Sequence, residues 1–369
     1  MSWLKPAEHQ IKAAVFGLCR PFLRKRRPRL DGFNPSAVRR VLLLRPEKIG
    51  DMVISLPVFA ALHRSYPTIQ ICVLASPRNY SLIKDDPQID RIFLYRKRLS
   101  DLAVLRSVRA GKFDVVLDMI HGDSVTALFY SQLASRSAWH FGIGKSEHAA
   151  FYDYNGLDDA AAEEHIVDAS LRLLEPFGVV VEPEDRFVPP HVRPESARVM
   201  EAFLQSCGHS PERPLIGLNL SAGRPNRIWP EESVEQLCTS LLDALDGLTL
   251  VIITTPDDRS RGERLAVVRR GAVRLVPAGL GLGEVSALIS NLDLLISPDT
   301  SLIHIARSFK VPVVGLYNRA RKNFRHWRPY RQPDGVVMSD HPDTIYDITP
   351  QRVFDQVGVV LSRTREAAL

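Results

Sequence analysis

The sequence predicts an α/β protein of two Rossmann-like halves, each wound on its own parallel sheet. Three observations predict it. Short apolar runs, the mark of strands buried on both faces, recur along the chain, and stretches of helical periodicity separate them. That alternation implies parallel strands joined by right-handed crossovers. An irregular proline-rich stretch, residues 182–214 with Pro183, Pro189, Pro190, Pro194 and Pro211, interrupts the rhythm, which then restarts. At 369 residues the chain is also too long for a single core.

Composition narrows the class. A hydrophobic fraction of 45% with 24% charged residues fits a soluble globular enzyme. No apolar run approaches the roughly 18–20 residues that a membrane span needs. Cys19, Cys72, Cys207 and Cys238 are scattered without CxxC or metal-ligand spacing, as expected of ordinary thiols in a reducing cytoplasm. The net charge of +6 is uneven: residues 1–48 hold twelve Lys/Arg against three Asp/Glu (+9), leaving 36 against 39 (−3) for the rest. Basicity therefore belongs to the front end, and nucleic acid is not an expected partner. Residues 1–38 read as an amphipathic basic tail, with Trp3, Leu4, Ile11, Val15, Phe16 and Leu18 ahead of the cationic run at 20–30. Such a tail suits either an anionic membrane surface or plain solvent.

The first half opens with VLLLRPEKIGDMVISLPVFAAL, residues 41–62. Its apolar start is a buried strand, and the charged turn that follows carries Arg45, Lys48 and Asp51 to the carboxyl edge, where open α/β sheets bind ligands. Asp51 either serves chemistry there or caps the helix. Further strands are expected at 70–74, 90–95 and 113–117, and helices at 99–110 and 156–175. The strand at 113–117 delivers Asp118, His121 and Gly122 to the same edge. Residues 139–154, WHFGIGKSEHAAFYDY, read as a glycine-punctuated loop of ligand-contacting character.

The second half restarts with LIGLNL at 215–220, then SAGRPNR at 221–227, then WPEE opening a helix. A small-residue loop running into a helix suits phosphate, with Ser221 there and Arg224 and Arg227 adding charge-assisted donors. There is no P-loop, and Gly279, Gly281 and Gly283 lack the context of a dinucleotide fingerprint. The strand at 248–255 leads to Asp257 and Asp258, which suit ribose hydroxyls or a solvated turn. The strand at 292–297 leads to Asp299, Thr300 and Ser301, which either cap the next helix or meet a ligand together with His304, one turn in. Another strand follows at 311–317. One site in a cleft between two Rossmann-like domains is the expected arrangement. The expected divisions are a tail at 1–38, a first domain at 39–190, a second at 191–349, and a closing helix at 350–369. The basic aromatic run at 319–331 reads as a solvated loop or a phosphate or membrane contact.

Three motifs carry a resemblance. RPEKIGDMVISLPVFAAL resembles the opening motif of glycosyltransferase family 9, the ADP-heptose heptosyltransferases of bacterial lipopolysaccharide core. ISPDTSLIHIARSFKVPVVGLY is similar to that family's Asp-Thr-Gly-x-x-His-x-Ala motif and the Val-Pro-Val-Val strand after it, with Ser301 in place of the usual Gly. NLSAGRPNRIWPEE resembles its loop with a basic residue two places before Trp-Pro. The three stand in order across about residues 39–320.

The resemblance implies a GT-B glycosyltransferase, inverting and without cofactor or metal, which accords with the lack of any Asp-x-Asp. It implies an acceptor-side domain at 39–190, a nucleotide-sugar domain at 191–349 and a closing helix that can cross back to the first domain, with Asp51 as the general base and Arg227, usually Lys in the family, on the donor diphosphate. Asp299, with Thr300 and His304 beside it, would take the donor sugar. Arg45, Lys48, His121, Arg136 and Lys145 are then candidates for a phosphorylated, lipid-linked oligosaccharide acceptor, and the tail for inner-membrane contact from the cytoplasm. The alternatives are a sugar-nucleotide epimerase or hydrolase on the same fold, and a non-catalytic nucleotide-sugar-binding member.

Overall fold

The structure, a computed structural model, describes residues 17, 23, 30–96, 98, 101–134, 136–156, 164–268, 271–319 and 321–368. Most of the expected tail, and residues 157–163 of the expected helix at 156–175, lie outside them. In chain order the first half runs β1 (Arg40–Arg45), α1 (Ile49–Val53), α2 (Leu56–Ser65), β2 (Gln70–Ala75), α3 (Tyr80–Ile83), β3 (Arg91–Leu94), α4 (Asp101–Ala110), β4 (Val115–His121), α5 (Val125–Ala134), β5 (Trp139–Ile143), β6 (Tyr154–Asn155) and α6 (Ile166–Leu171). The second runs α7 (Pro194–Ser206), β7 (Leu215–Asn219), α8 (Glu231–Ala244), β8 (Thr249–Ile253), α9 (Arg259–Val268), β9 (Val273–Leu275), α10 (Leu282–Ile289), β10 (Leu294–Pro298), α11 (Ser301–Ser308), β11 (Val313–Tyr317), α12 (Arg321–Trp327), β12 (Val336–Met338) and α13 (Pro350–Ala368).

Two compact units result. One takes Met1–Lys48, Ser55–Tyr80 and Asp86–Asp185; the other takes Ile49–Ile54, Ser81–Asp85 and Arg186–Leu369. The change of unit at 185/186 falls five residues before the boundary expected from sequence, and two short stretches of the first half belong to the second unit. Among the described residues each unit has one six-stranded sheet, ordered β3-β2-β1-β4-β5-β6 and β12-β11-β10-β7-β8-β9. Every pairing is parallel. Both orders are the doubly wound one, and strand order reverses between β1 and β4 and between β7 and β10. Beyond the carboxyl ends of those strands lies the crevice where such sheets hold ligands.

The strands read as continuous apolar runs because helices cover both faces. In the first sheet Leu42 and Leu44 pack with Leu74, Phe93 and Val116; in the second, Leu218, Ile252, Ile296 and Leu316 pack under Leu237 and Leu241 of α8. Val353, Val357 and Val360 place α13 in that second core.

Three local expectations change. Residues 139–143, expected as part of a loop, form β5, with four of its five residues buried. A Cβ on Gly142 would lie 2.9 Å from Lys145 Cε and from Tyr152 Cδ1, so the strand passes where side chains leave no room. The helix expected to reach 175 is α6 followed by a 3₁₀ turn, Arg172–Phe177, which contains Pro176 and ends at Gly178 with φ +66°. The short edge strands β9 and β12 were not expected at all. No helix among the described residues is long and apolar enough to cross a membrane.

Candidate functional site

The second unit's crevice is built from two loops, one after β7 and one after β10. Asn219, the last residue of β7 and only 3% exposed, ties them together. Its side-chain amide donates to Ser221 O (3.1 Å), Ser297 Oγ (2.9 Å) and Thr300 Oγ1 (3.2 Å), while its carbonyl oxygen accepts from Ser221 N (3.1 Å). Two amide hydrogens serve three acceptors, so they are shared within a polar cluster in which Ser297 Oγ and Thr300 Oγ1 also meet at 3.0 Å. Thr300 caps α11, its hydroxyl accepting from Leu302 N at 3.3 Å. The cap role foreseen for this loop therefore coexists with its place at the crevice.

Arg227 and Asp299 meet across this crevice. Arg227 Nη1 lies 2.6 Å from Asp299 Oδ2, both side chains partly exposed. The loop that presents Arg227 is fastened on several sides. Trp229 Nε1 donates to Ile348 O (2.8 Å), Tyr346 OH to Pro225 O (3.3 Å), and buried Arg261 to the carbonyls of Leu220 and Trp229. Desolvation by burial lowers the pKa of Arg261, opposed mainly by Glu231. A loop held this way presents its cation in a fixed place, which is what preorganised charge stabilisation requires.

Asp51 joins the same group through α1. Gly50 lets the short helix press against the start of α11: a Cβ there would sit 3.0 Å from His304 Cδ2 and 3.6 Å from Ser301 Cα. Asp51 follows directly, partly exposed. His304 is 7% exposed with its ring edge-on to Trp327, centroids 5.7 Å apart. Burial lowers its pKa from the ordinary 6.5, opposed by the charges of Asp299 and Asp51. At neutral pH the imidazole is therefore uncharged, one nitrogen a donor and the other an acceptor. The consequence for stability has a definite sign. Below 6.5 the unfolded chain binds the proton that the native state resists, so stability is full above about 6.5 and falls as pH drops through the native value. Urea unfolding across that range should show this slope in the wild type, and His304→Gln should flatten it.

The remaining donor-side candidates divide. Ser221 is 7% exposed and its hydroxyl accepts from Thr255 N at 2.8 Å, so it joins the β7 loop to the end of β8 and serves as a brace. Thr255 Oγ1 donates in turn to Asp258 Oδ2 at 3.0 Å. Asp257 stands exposed on the 3₁₀ turn Pro256–Asp258, and Arg224 is exposed at the head of the turn Pro225–Arg227. Ser301 is the half-buried first residue of α11. Part of the basic aromatic run at 319–331 folds as α12, whose Trp327 meets His304.

In the first unit the acceptor candidates are scattered. Lys48 and His121 are exposed at the carboxyl edge, His121 beneath Gly144, where a Cβ would lie 3.0 Å from Nε2. Arg45 is 1% exposed, paired with Glu47 at 2.8 Å and donating to Met119 O. Lys145 is likewise committed inside: its ammonium meets Asp118 Oδ2 (2.8 Å), Ile120 O (2.6 Å) and Gly122 O (2.7 Å), which uses its three donors. Both are buried and hold the loops at this edge. Arg136 follows α5 and precedes β5, which puts it at the amino edge, away from the ligand loops.

Sequence reading passed over Asn219, Ser297, Thr255 and Trp327. The signal available was a polar residue ending an apolar strand run, LIGLN and LLIS, where the sheet hands over to a ligand loop.

With this geometry in place, comparison with known proteins gives a consistent result. The model of glycosyltransferase family 9 (heptosyltransferase) matches residues 102–351, a span that includes Arg227, Asp299 and His304 and begins after Asp51. Lipopolysaccharide heptosyltransferase 2 of Escherichia coli strain K12 is 22% identical over 355 residues, covering 87% of this chain and 98% of that protein. The fold is shared with a glycosyl transferase family 9 structure from Veillonella parvula, with a TM-score of 0.72 at 18% identity over 88% of this chain and 97% of that one. It is shared also with the E. coli heptosyltransferase WaaC solved with ADP, with a TM-score of 0.65 at 17% identity over 88% and 99%. The α/β fold of two Rossmann-like units is thus the GT-B fold implied by the motifs. The chain is a glycosyltransferase and belongs to glycosyltransferase family 9, the heptosyltransferase family.

Proposed function

We propose that this enzyme transfers a heptose from ADP-heptose to a hydroxyl of a lipopolysaccharide core acceptor, with inversion and without a metal ion. The observation that carries the reading is the grouping of Asp51, His304, Asp299 and Arg227 at the head of α11. In one displacement the Asp51 carboxylate takes the acceptor hydroxyl proton, that oxygen bonds to the anomeric carbon, and the bond to the diphosphate breaks with its electron pair leaving on ADP. Displacement from the face opposite the leaving group inverts the centre. Arg227 and the amide end of α11 meet the charge that grows on the diphosphate, the task a metal performs elsewhere. Asp299 accepts from donor-sugar hydroxyls, and neutral His304 supplies a donor and an acceptor without adding charge. The enzyme would work from the cytoplasm at the membrane that holds its lipid-linked acceptor.

Calorimetric titration with ADP, UDP and GDP in chelator tests the donor. Tight binding of ADP alone supports the assignment. Preference for UDP or GDP would move the donor elsewhere, and binding only after added divalent metal would overturn the metal-free mechanism.

A further inference from the structure

The first unit carries a face that donor chemistry does not use. Helices α4 and α5 lie side by side and leave a groove of about 240 Å³ between them, lined by Leu102, Leu105, Phe129, Tyr130 and Leu133, with Arg98 and Asp101 at one end. Leu102 is 60% exposed and Leu133 37%. Single exposed leucines are ordinary, but apolar side chains gathered in one groove mark a contact surface.

The charge around that groove is one-sided. Residues 91–112 contain seven Lys/Arg and a single acid, Asp101. That acid is turned inward: it is 7% exposed and its carboxylate accepts from the backbone N–H groups of Arg96 (3.1 Å) and Arg98 (2.9 Å). Arg96, Arg98, Arg106 and Arg109 are exposed. The chain beyond residue 48 has a net charge of −3, so removing the +6 of this stretch leaves −9 for everything else there. Of these cations Arg98 lines the groove, and exposed Arg106 and Arg109 stand on α4 four residues after the lining Leu102 and Leu105.

We propose that the α4–α5 face docks on an anionic lipid surface, leucines entering the interface and arginines meeting headgroup phosphates. An apolar strip bordered by basic residues is what interfacial helices offer a bilayer. The tail of this chain and a second copy of the same face are both cationic, so charge disfavours either as occupant. The proposal draws on the lipid-linked acceptor only for its purpose; the docking stands on the face itself.

Flotation of the full chain with phosphatidylcholine vesicles, with and without phosphatidylglycerol, tests it. Wild type should float only with the anionic vesicles and less as salt rises. Arg98→Glu/Arg106→Glu and Leu102→Asp/Leu133→Asp should each weaken flotation on the order of tenfold or more. Circular dichroism and the thermal unfolding of both variants should match wild type, which reports an intact first unit, and ADP affinity should stay unchanged. Flotation equal to wild type in both variants, equal affinity for neutral vesicles, or wild-type dimers that these substitutions dissolve would each overturn the proposal. Loss of ADP binding by wild type with flotation intact would strike the donor assignment and leave this one standing.

Discussion

Asp51→Asn is expected to lower kcat by about 10²–10⁴-fold, the range that a positioned general base contributes, while ADP affinity stays near wild type. The substitution keeps size and polarity but leaves no carboxylate to receive the acceptor proton. Asp51 sits on α1, whose seat against α11 depends on Gly50 and His304, and Asn leaves those contacts in place. A fall in kcat with unchanged ADP binding separates proton transfer from donor capture. If ADP affinity fell as steeply as turnover, Asp51 would be a donor ligand or a structural residue. If turnover were kept, the base would have to be sought elsewhere at the crevice.

For Arg227→Ala we expect ADP affinity to drop by on the order of 10–100-fold, because a hydrogen bond to a charged group is worth about 1.5–3 kcal/mol. The loss has two parts. The diphosphate loses a charged donor, and Asp299, now paired with Arg227 at 2.6 Å, is left as an uncompensated carboxylate near the phosphates. The double variant with Asp299→Ala should therefore bind ADP better than Arg227→Ala alone, a non-additivity that calorimetry on the four-member cycle would reveal. Unchanged ADP affinity in Arg227→Ala would remove this residue from the phosphate site.

Much of this was legible in the sequence because buried parallel strands announce themselves as uninterrupted apolar runs. The runs at 41–44, 215–220 and 292–297 located β1, β7 and β10, and hence the edges where Asp51, Arg227 and Asp299 emerge. What stayed hidden depends on partners far apart in the chain. Lys145 reads as a surface cation until Asp118 and Tyr152 close around it; Tyr152 OH also reaches Asp118 Oδ2 at 2.5 Å. Asn219 reads as the tail of a strand until Ser297 and Thr300, 78 and 81 residues later, arrive beside it. The assignment of α1 to the second unit was illegible for the same reason. Its place rests on how closely a glycine fits a histidine some 250 residues away.

The amide of Asn219 has a consequence for how this enzyme can be remade. Since one side chain ties both ligand loops together, neither loop is a free cassette. A graft that imported a relative's β10 loop without Ser297 and Thr300 would leave the amide only Ser221 O to donate to, and the link between the β7 loop and the β10 loop would be lost. Donor preference should therefore change only when both loops and their shared tether are exchanged as one piece. Under drift, substitutions at these three polar positions should arise together.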